Sequence, residues 1–438
     1  MSLHPHAVDP IPEATARIAR AAFRRGSPFM RMRDEIGALF TDEEFAPLFP
    51  ARGRAALNSL AVVAPAWLRA HSDPDGVDRY GPRVDDLRLP DKPEARRALA
   101  AGIAADGSRL LEAVYAPGTP AWVREVPAVQ TLRRVWVERF YRDGKGVQER
   151  GDAQGRPPSA GMVSSPYDPD ARYATKRSTS WTGYKVHLSE TCDDDLPHLI
   201  THVETAPGPA ADGDATPTIH RALAAKGLPP SLHIVDTGYL DADLLLASRD
   251  DYGVELLGPT RRDQRWQARA KEGFGMAAFT IDWERRRATC PQGRESLQWK
   301  ERADVRGNDS IYIRFAKADC GPCPCRAQCT KADRRSIAIR PRAQYEALQE
   351  RRARQETEAF AQEYARRAGI EGTLSQGVRA FGLRRATYIG TAKTHLQHVL
   401  TAAAIDVVRV AHWLDDAPLA KTRRSSFVKL MNPTSAAA

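Results

Sequence analysis

The sequence predicts a mixed α/β protein with a helical N-terminal part and a small cysteine-bearing, β-rich insertion. Three observations carry that reading. Ala/Leu/Arg-rich helical runs dominate the first third of the 438-residue chain. Between 181 and 259, short alternating apolar stretches take turns with capped helical ones, as in an α/β sheet. Five of the six cysteines then crowd into 290–329, inside a polar, strand-bearing segment.

Taken in order, 12–25 ("PEATARIARAAFRR") reads as a short basic amphipathic helix, and "TDEE" further on offers an N-cap. These belong to a helical N-terminal part over 1–54, and the character changes abruptly at "ARGRAA" (51–56). Helical stretches around 94–115 and 121–142 make 55–142 a helical segment. Residues 143–180 are polar and punctuated by Gly, Pro and Ser, as a mobile connector would be. "TGYKVHLSE" (182–190) sets Tyr184, Val186 and Leu188 against Lys185, His187 and Ser189, so the first set is expected to face the core. "HLITHVETA" (198–206) is a second strand and the expected antiparallel neighbour. "DATPTIHRALAAKG" (214–227) reads as a helix, "SLHIVDTGY" (231–239) as a strand, "DADLLLASRDDY" as a helix and "VELLGP" (254–259) as a short strand. Residues 260–340 form the cysteine-bearing insertion, with strand-like pieces at "AAFTIDW" and "IYIRFAK". Long helices are predicted over 343–368 and 391–415, and 416–438 reads as a disordered tail. The core is therefore expected to combine 181–259 with 341–415.

Lys and Arg number 65 against 55 Asp and Glu, a net charge of +10. Clusters such as "TRRDQRW" and "QERRARQ" suit a polyanionic partner, or solvated helix faces. No apolar run approaches the ~18–20 residues of a membrane span, so no membrane partner is expected. The start, "MSLHPHAVDPIPEATARIAR", lacks the apolar region of a secretion signal. Clustered cysteines fit a reducing cytoplasm and a metal site better than a disulfide framework.

Candidate chemistry sits on two carboxylates. Asp236 ends the apolar strand "LHIVD" before the turn "TGY", where α/β folds often place functional groups, although Asp also simply starts turns. In "YARRAGIEGTLSQGVR" (364–379), Tyr364, Arg367 and Glu371 are spaced i, i+3, i+7 and share one helical face. Gly369 and Gly372 would let that face approach another backbone or a DNA strand. The plainer alternative is an Arg–Glu helix pair worth ~0.3–0.5 kcal/mol. Among the cysteines, Cys320 and Cys323 have ligand-pair spacing. Cys290 and Cys329 would complete a structural zinc site, with Cys325 spare or substituting. Reduced structural thiols are the alternative. His395 and His398 read as packing or DNA-backbone contacts.

Together these residues resemble DDE-type bacterial insertion-sequence transposases of a cysteine-bearing subgroup. Y-x2-R-x3-E, at Tyr364, Arg367 and Glu371, looks like the signature around the family's last acid, and "HIVDTGY" is similar to the strand bearing the second. "WTGYKVHL" and "GLRRATYIGTAKTHLQHVLTAAAIDVVR" also look like that family. The similarity spans roughly 172–415, and 25–54 looks like its helical start. The resemblance implies a ribonuclease H-like mixed sheet flanked by helices, with three carboxylates holding two Mg²⁺ or Mn²⁺ ions for phosphodiester cleavage and strand transfer. Asp236 and Glu371 would be metal ligands, with Arg367 and Tyr364 orienting the glutamate or meeting a phosphate. Lys176, Arg177, Lys185, Arg384, Arg385 and Lys393 would contact phosphates. The implied partners are double-stranded DNA, at the element's terminal repeats and the target, and further copies of the chain, in the bacterial cytoplasm.

The family's first acid lies on an early strand, before the stretch resembling 55–140. Here "FPARGR" (49–54) runs straight into "AALNSLAVVAP", so the junction at Arg54–Ala55 reads as an internal deletion. Asp85, Asp86, Asp168 and Asp170 are poor substitutes by their polar, Pro-flanked or connector contexts. The expectation is a transposase of impaired catalysis. The alternatives are an inactive remnant that still binds DNA or intact subunits, and a nuclease of the same fold.

Overall fold

The computed structural model describes residues 12–22, 56–71, 80, 90–261 and 263–416. The expectations for 25–54, the Arg54–Ala55 junction, Asp85, Asp86 and the tail from 417 lie outside the described residues. The chain divides into two compact units: Met1–Tyr184, Asp193–Ile200 and Ser375–Ala438 form one, and Lys185–Cys192 and Thr201–Leu374 the other.

The first unit opens with helices α1 (Glu13–Ala22), α2 (Ala56–Val63), α3 (Pro65–His71), α4 (Pro93–Tyr115), α5 (Ala121–Arg124) and α6 (Pro127–Arg139). The single helix expected over 121–142 is interrupted at Val126, which is extended at φ −60°, ψ 119° because Pro127 follows it. Leu60, Ala64, Val114, Val123 and Val129 bury against one another to form this helical core. The Trp136 ring of α6 packs against Gly107 of α4, where a Cβ would stand 1.9 Å from it. The glycine is there for close approach, and the indole NH also donates to the Ala104 carbonyl at 3.1 Å.

Regular structure continues where a connector was expected. Strands β1 (Phe140–Asp143) and β2 (Gly146–Glu149) form a tight antiparallel hairpin. Strand β3 (Arg172–Lys176) then pairs antiparallel with the first half of β4 (Thr179–Glu190). The intervening loop is tied down by the Val163 amide, which donates to Glu138 at 2.7 Å.

In the second unit, the later half of β4 is followed by β5 (Ile200–Pro207), its hydrogen-bonded neighbour. Its facing reverses the alternation argument: His187 and Ser189 are buried, at 4% and 8% exposure, while Val186 and Leu188 are only half-buried. Helix α7 (Asp212–Ala225) buries Ala215, Ile219 and Leu223, one face at a spacing of four. Strand β6 (Leu232–Ile234), helix α8 (Ala242–Tyr252) and β7 (Glu255–Leu257) make a crossover unit in which β6 and β7 run parallel. The single mixed sheet expected is thus divided, because β6 and β7 form a two-stranded sheet apart from β4 and β5.

The cysteine-bearing stretch also lies in the second unit. It holds α9 (Trp266–Ala270), the hairpin β8 (Thr280–Asp282)–β9 (Arg287–Thr289), and β10 (Gln298–Ala303) and β11 (Asp309–Arg314). Short helices α10 (Lys317–Cys320) and α11 (Arg326–Cys329) precede β12 (Ser336–Ile339), which completes a three-stranded antiparallel sheet. Phe279, Ile311, Ile313, Phe315 and Ile337 give it a core of its own.

The helix predicted over 343–368 is two, α12 (Arg342–Gln355) and α13 (Glu358–Ala365), and a further helix, α14 (Ala368–Ala380), begins where it was expected to end. Thr357 starts the second by accepting from the Phe360 amide at 3.2 Å, competing with helix continuation. At Arg366 and Arg367 the hydrogen bonds tighten to three-residue steps, Arg367 to Tyr364 and Ile370 to Arg367. Helix α15 (Thr391–Leu414) closes the described chain in the first unit, burying Thr394, His398, Thr401 and Ile405 on one face.

Candidate active site

Asp236 stands just beyond β6. The Val235 amide donates to the Leu257 carbonyl at 2.8 Å, carrying the pairing with β7 one residue further. Gly258 permits this closeness, since a Cβ there would meet the Val235 oxygen at 2.5 Å. Asp236 then caps the turn Thr237–Tyr239 by accepting from the Thr237 amide at 2.7 Å. Its carboxylate remains 54% exposed, with room for a further ligand.

Glu371 lies in the first turns of α14 and Arg367 in the break before it. The Arg367 guanidinium donates to Glu371 at 3.1 Å and approaches Asp236 to 3.6 Å. The two acids singled out in the sequence therefore meet at one arginine, all within the second unit. Tyr364 joins them from the end of α13. Burial pushes its phenol up, the Arg367 charge opposes this, and Asp236 and Glu371 add to it. Its ring stacks on Phe360, at a 5.6 Å centroid separation. The expectation of one continuous helical face is corrected: Tyr364, Arg367 and Glu371 are juxtaposed across a helix break. Gly372 faces open space, with nothing within 4 Å of a Cβ placed there, so no internal contact demands a glycine.

Two neighbours, Tyr239 and Asp212, escaped the sequence reading. The Tyr239 hydroxyl is 2.6 Å from His187 Nδ1, and burial, then Asp212, then Asp236, hold its phenol protonated well above the usual range. Asp212, at the start of α7, lies against Gly238, where a Cβ would sit 3.0 Å from its carboxylate. Lys185 pairs with Asp212 at 2.9 Å and donates to the Ala210 carbonyl at 2.7 Å. Lys185 is thus half-buried and held by these two acceptors. A faint signal existed for Tyr239, which directly follows the "VDTG" turn; none marked Asp212.

The other cations of interest belong to the first unit. Lys176 and Arg177 are exposed at the β3–β4 turn, where Arg177 adopts a left-handed φ of 57°. Arg384 and Arg385 are exposed on the loop before α15, and Lys393 lies half-buried in its first turn. Asp168 and Asp170 have structural work: Asp168 accepts from Tyr184 at 2.7 Å, and Asp170 accepts from the Thr391 amide and hydroxyl at 3.0 Å. His398 is buried within α15, which together with nearby His395 lowers its pKa to about 4, a packing role.

Cys290, Cys320, Cys323, Cys325 and Cys329 line one cavity of about 40 Å³ together with Arg335. Burial foremost raises the Cys329 thiol, Arg335 opposes, and Cys320, Cys290 and Cys323 raise it further. The four sulfurs named for zinc are brought together, but among the described residues no group of three or more His, Cys, Asp or Glu stands at metal-holding separation. At Asp236 and Glu371, two exposed carboxylates already share one cationic group. Such hard oxygen donors suit a divalent cation of the Mg²⁺ type, with two fixed acids where a full set needs more.

Residues 289–411 match a family model described as a transposase DDE domain. The span includes Tyr364, Arg367, Glu371 and the five clustered cysteines, and Asp236 precedes it. No curated protein and no solved structure matches the chain. Among the described residues no helix is long and apolar enough to cross a membrane.

Proposed function

We propose, from the premise that residues 289–411 are a DDE-type transposase domain, that the chain derives from a metal-dependent insertion-sequence transposase and is catalytically impaired. The observation that carries this reading is the meeting of Asp236 and Glu371 at Arg367. Asp236 and Glu371 would hold the divalent metal, Mg²⁺ or Mn²⁺, which when bound activates the attacking oxygen and stabilises the leaving one. Arg367 fixes the Glu371 carboxylate by a charge-assisted hydrogen bond. Tyr364, stacked on Phe360, stands beside Arg367 and the two acids, and Tyr239 remains a protonated donor at neutral pH. Exposed Lys176, Arg177, Arg384 and Arg385 would grip the phosphates of terminal-repeat and target DNA, positioning it without reading bases. The chain would act as a homo-oligomer on cytoplasmic DNA.

Impairment follows from the acid count. Among the described residues, Asp212 beside the Thr237–Tyr239 turn is paired with Lys185, and Glu190 accepts from the Thr373 hydroxyl. The gap between the β4–β5 and β6–β7 pairings is also what a ribonuclease H-like sheet would show after losing an intervening strand. This favours a second reading, a remnant that binds DNA or intact subunits without cutting. The clustered cysteines, which line one cavity, would hold a structural zinc that leaves no open position for substrate.

Strand cleavage with Mg²⁺ or Mn²⁺ on DNA carrying the element's ends tests both readings, scored beside retention of the same DNA in a gel. Retention with little or no cutting is expected. Robust cutting that Asp236→Asn abolishes would remove the impairment. Absence of both cutting and retention would remove the DNA-binding reading as well.

A further inference from the structure

The arrangement around Arg367 carries more than a supporting role. Its guanidinium touches Glu371 at 3.1 Å and stands 3.6 Å from Asp236, while itself only 23% exposed. Glu371, at 68%, and Asp236, at 54%, are both open to solvent. The cation is therefore the sheltered member of the trio, and the acids are its exposed arms. Arg367 also sits in the break between α13 and α14, where three-residue hydrogen bonds replace regular helical ones. The break sets it N-terminal to Glu371 and aims one fork at two elements.

Resting on the metal-site reading above, we infer that Arg367 is an internal counter-ion of the pocket: its guanidinium occupies the charge position between Asp236 and Glu371, and a divalent cation must displace it from at least one of them. A divalent ion sharing these carboxylates would stand within a few ångströms of the guanidinium, with like charges opposed. The guanidinium thus offsets one of the two carboxylate charges until metal competes, and metal affinity is lowered by the strength of the ion pairs that must break.

Mn²⁺ binding to the full-length chain tests this, followed by loss of the free-ion electron paramagnetic signal in wild type, Arg367→Gln, Arg367→Lys and Arg367→Gln/Asp236→Asn. Removing both exposed ion pairs in Arg367→Gln should tighten the Mn²⁺ dissociation constant roughly five- to tenfold. Arg367→Lys, which keeps the charge without the planar fork, should fall between. The double variant should lose the gain. Equal or weaker binding in Arg367→Gln, with Asp236-dependent binding intact in wild type, overturns the counter-ion role and leaves the metal site standing. Absence of Asp236-dependent Mn²⁺ binding in any variant overturns the metal-site reading and the inference together.

Discussion

Arg367 approaches Asp236 to 3.6 Å, joining a strand end to a helix break that lies beyond the whole cysteine-bearing insertion in sequence. Because the aspartate is more than half exposed, the contact contributes little to stability, less than about 1 kcal/mol. Asp236→Asn and Glu371→Gln should therefore leave the thermal midpoint within about 3 °C of wild type while abolishing Mn²⁺ binding. Scanning calorimetry beside metal titration checks the split. A structural ion pair would give the opposite pattern, with stability lost and metal binding unchanged.

Acid should loosen the second unit through a histidine pair, one member buried and the other half-buried. His220 Nε2 lies 2.9 Å from His233 Nδ1. Burial pushes both below the ordinary 6.5, and His233, with His220 adding to the effect, falls to about 4. Folded values below unfolded ones mean the stabilisation is complete above about pH 6.5 and is lost as pH falls toward 4. Urea midpoints measured across that window should decline, and His233→Gln should flatten the decline. An unchanged slope in the variant would dismiss the pair as its source.

Two glycines should respond in opposite directions. Alanine at Gly258 would force the β6–β7 ends apart, because its Cβ meets the Val235 oxygen at 2.5 Å, and should cost about 1–3 kcal/mol. Alanine at Gly372 meets nothing within 4 Å and should gain up to about 1 kcal/mol from helix propensity. Denaturant unfolding of the two variants reads both effects.

If the cysteines bind zinc, protein purified under reducing conditions should carry one equivalent. Cys290→Ser, Cys320→Ser, Cys323→Ser or Cys329→Ser should lower that content, and Cys325→Ser should not. Elemental analysis decides it. Zinc-free, well-folded wild-type protein would remove the site.

Much of the element order was legible in the sequence, because apolar spacing records which face of a segment is buried. Helix α4 and strand β5 begin and end within two residues of their predicted bounds. What failed depended on contacts between distant segments. The helix predicted to run through 368 breaks once and ends early, since Thr357 prefers to cap and the Arg366–Arg367 turn tightens. His187 and Ser189 are buried against expectation, and for His187 the phenol of Tyr239, 52 positions onward, supplies a partner that no local pattern announces. Asp236 and Glu371 were identifiable as a pair only through motif resemblance. Asp212 and Lys185 carry no local signature, and their pairing beside the turn exists only in the folded chain.

The most direct test of the shared pocket is iron-directed backbone cleavage. Fe²⁺ replacing Mg²⁺, with ascorbate and peroxide, should cut the chain at two places, beside 236 and beside 371. Asp236→Asn should suppress both cuts together. Cuts at only one of these positions, or cuts indifferent to that substitution, would contradict a metal held jointly by the two acids.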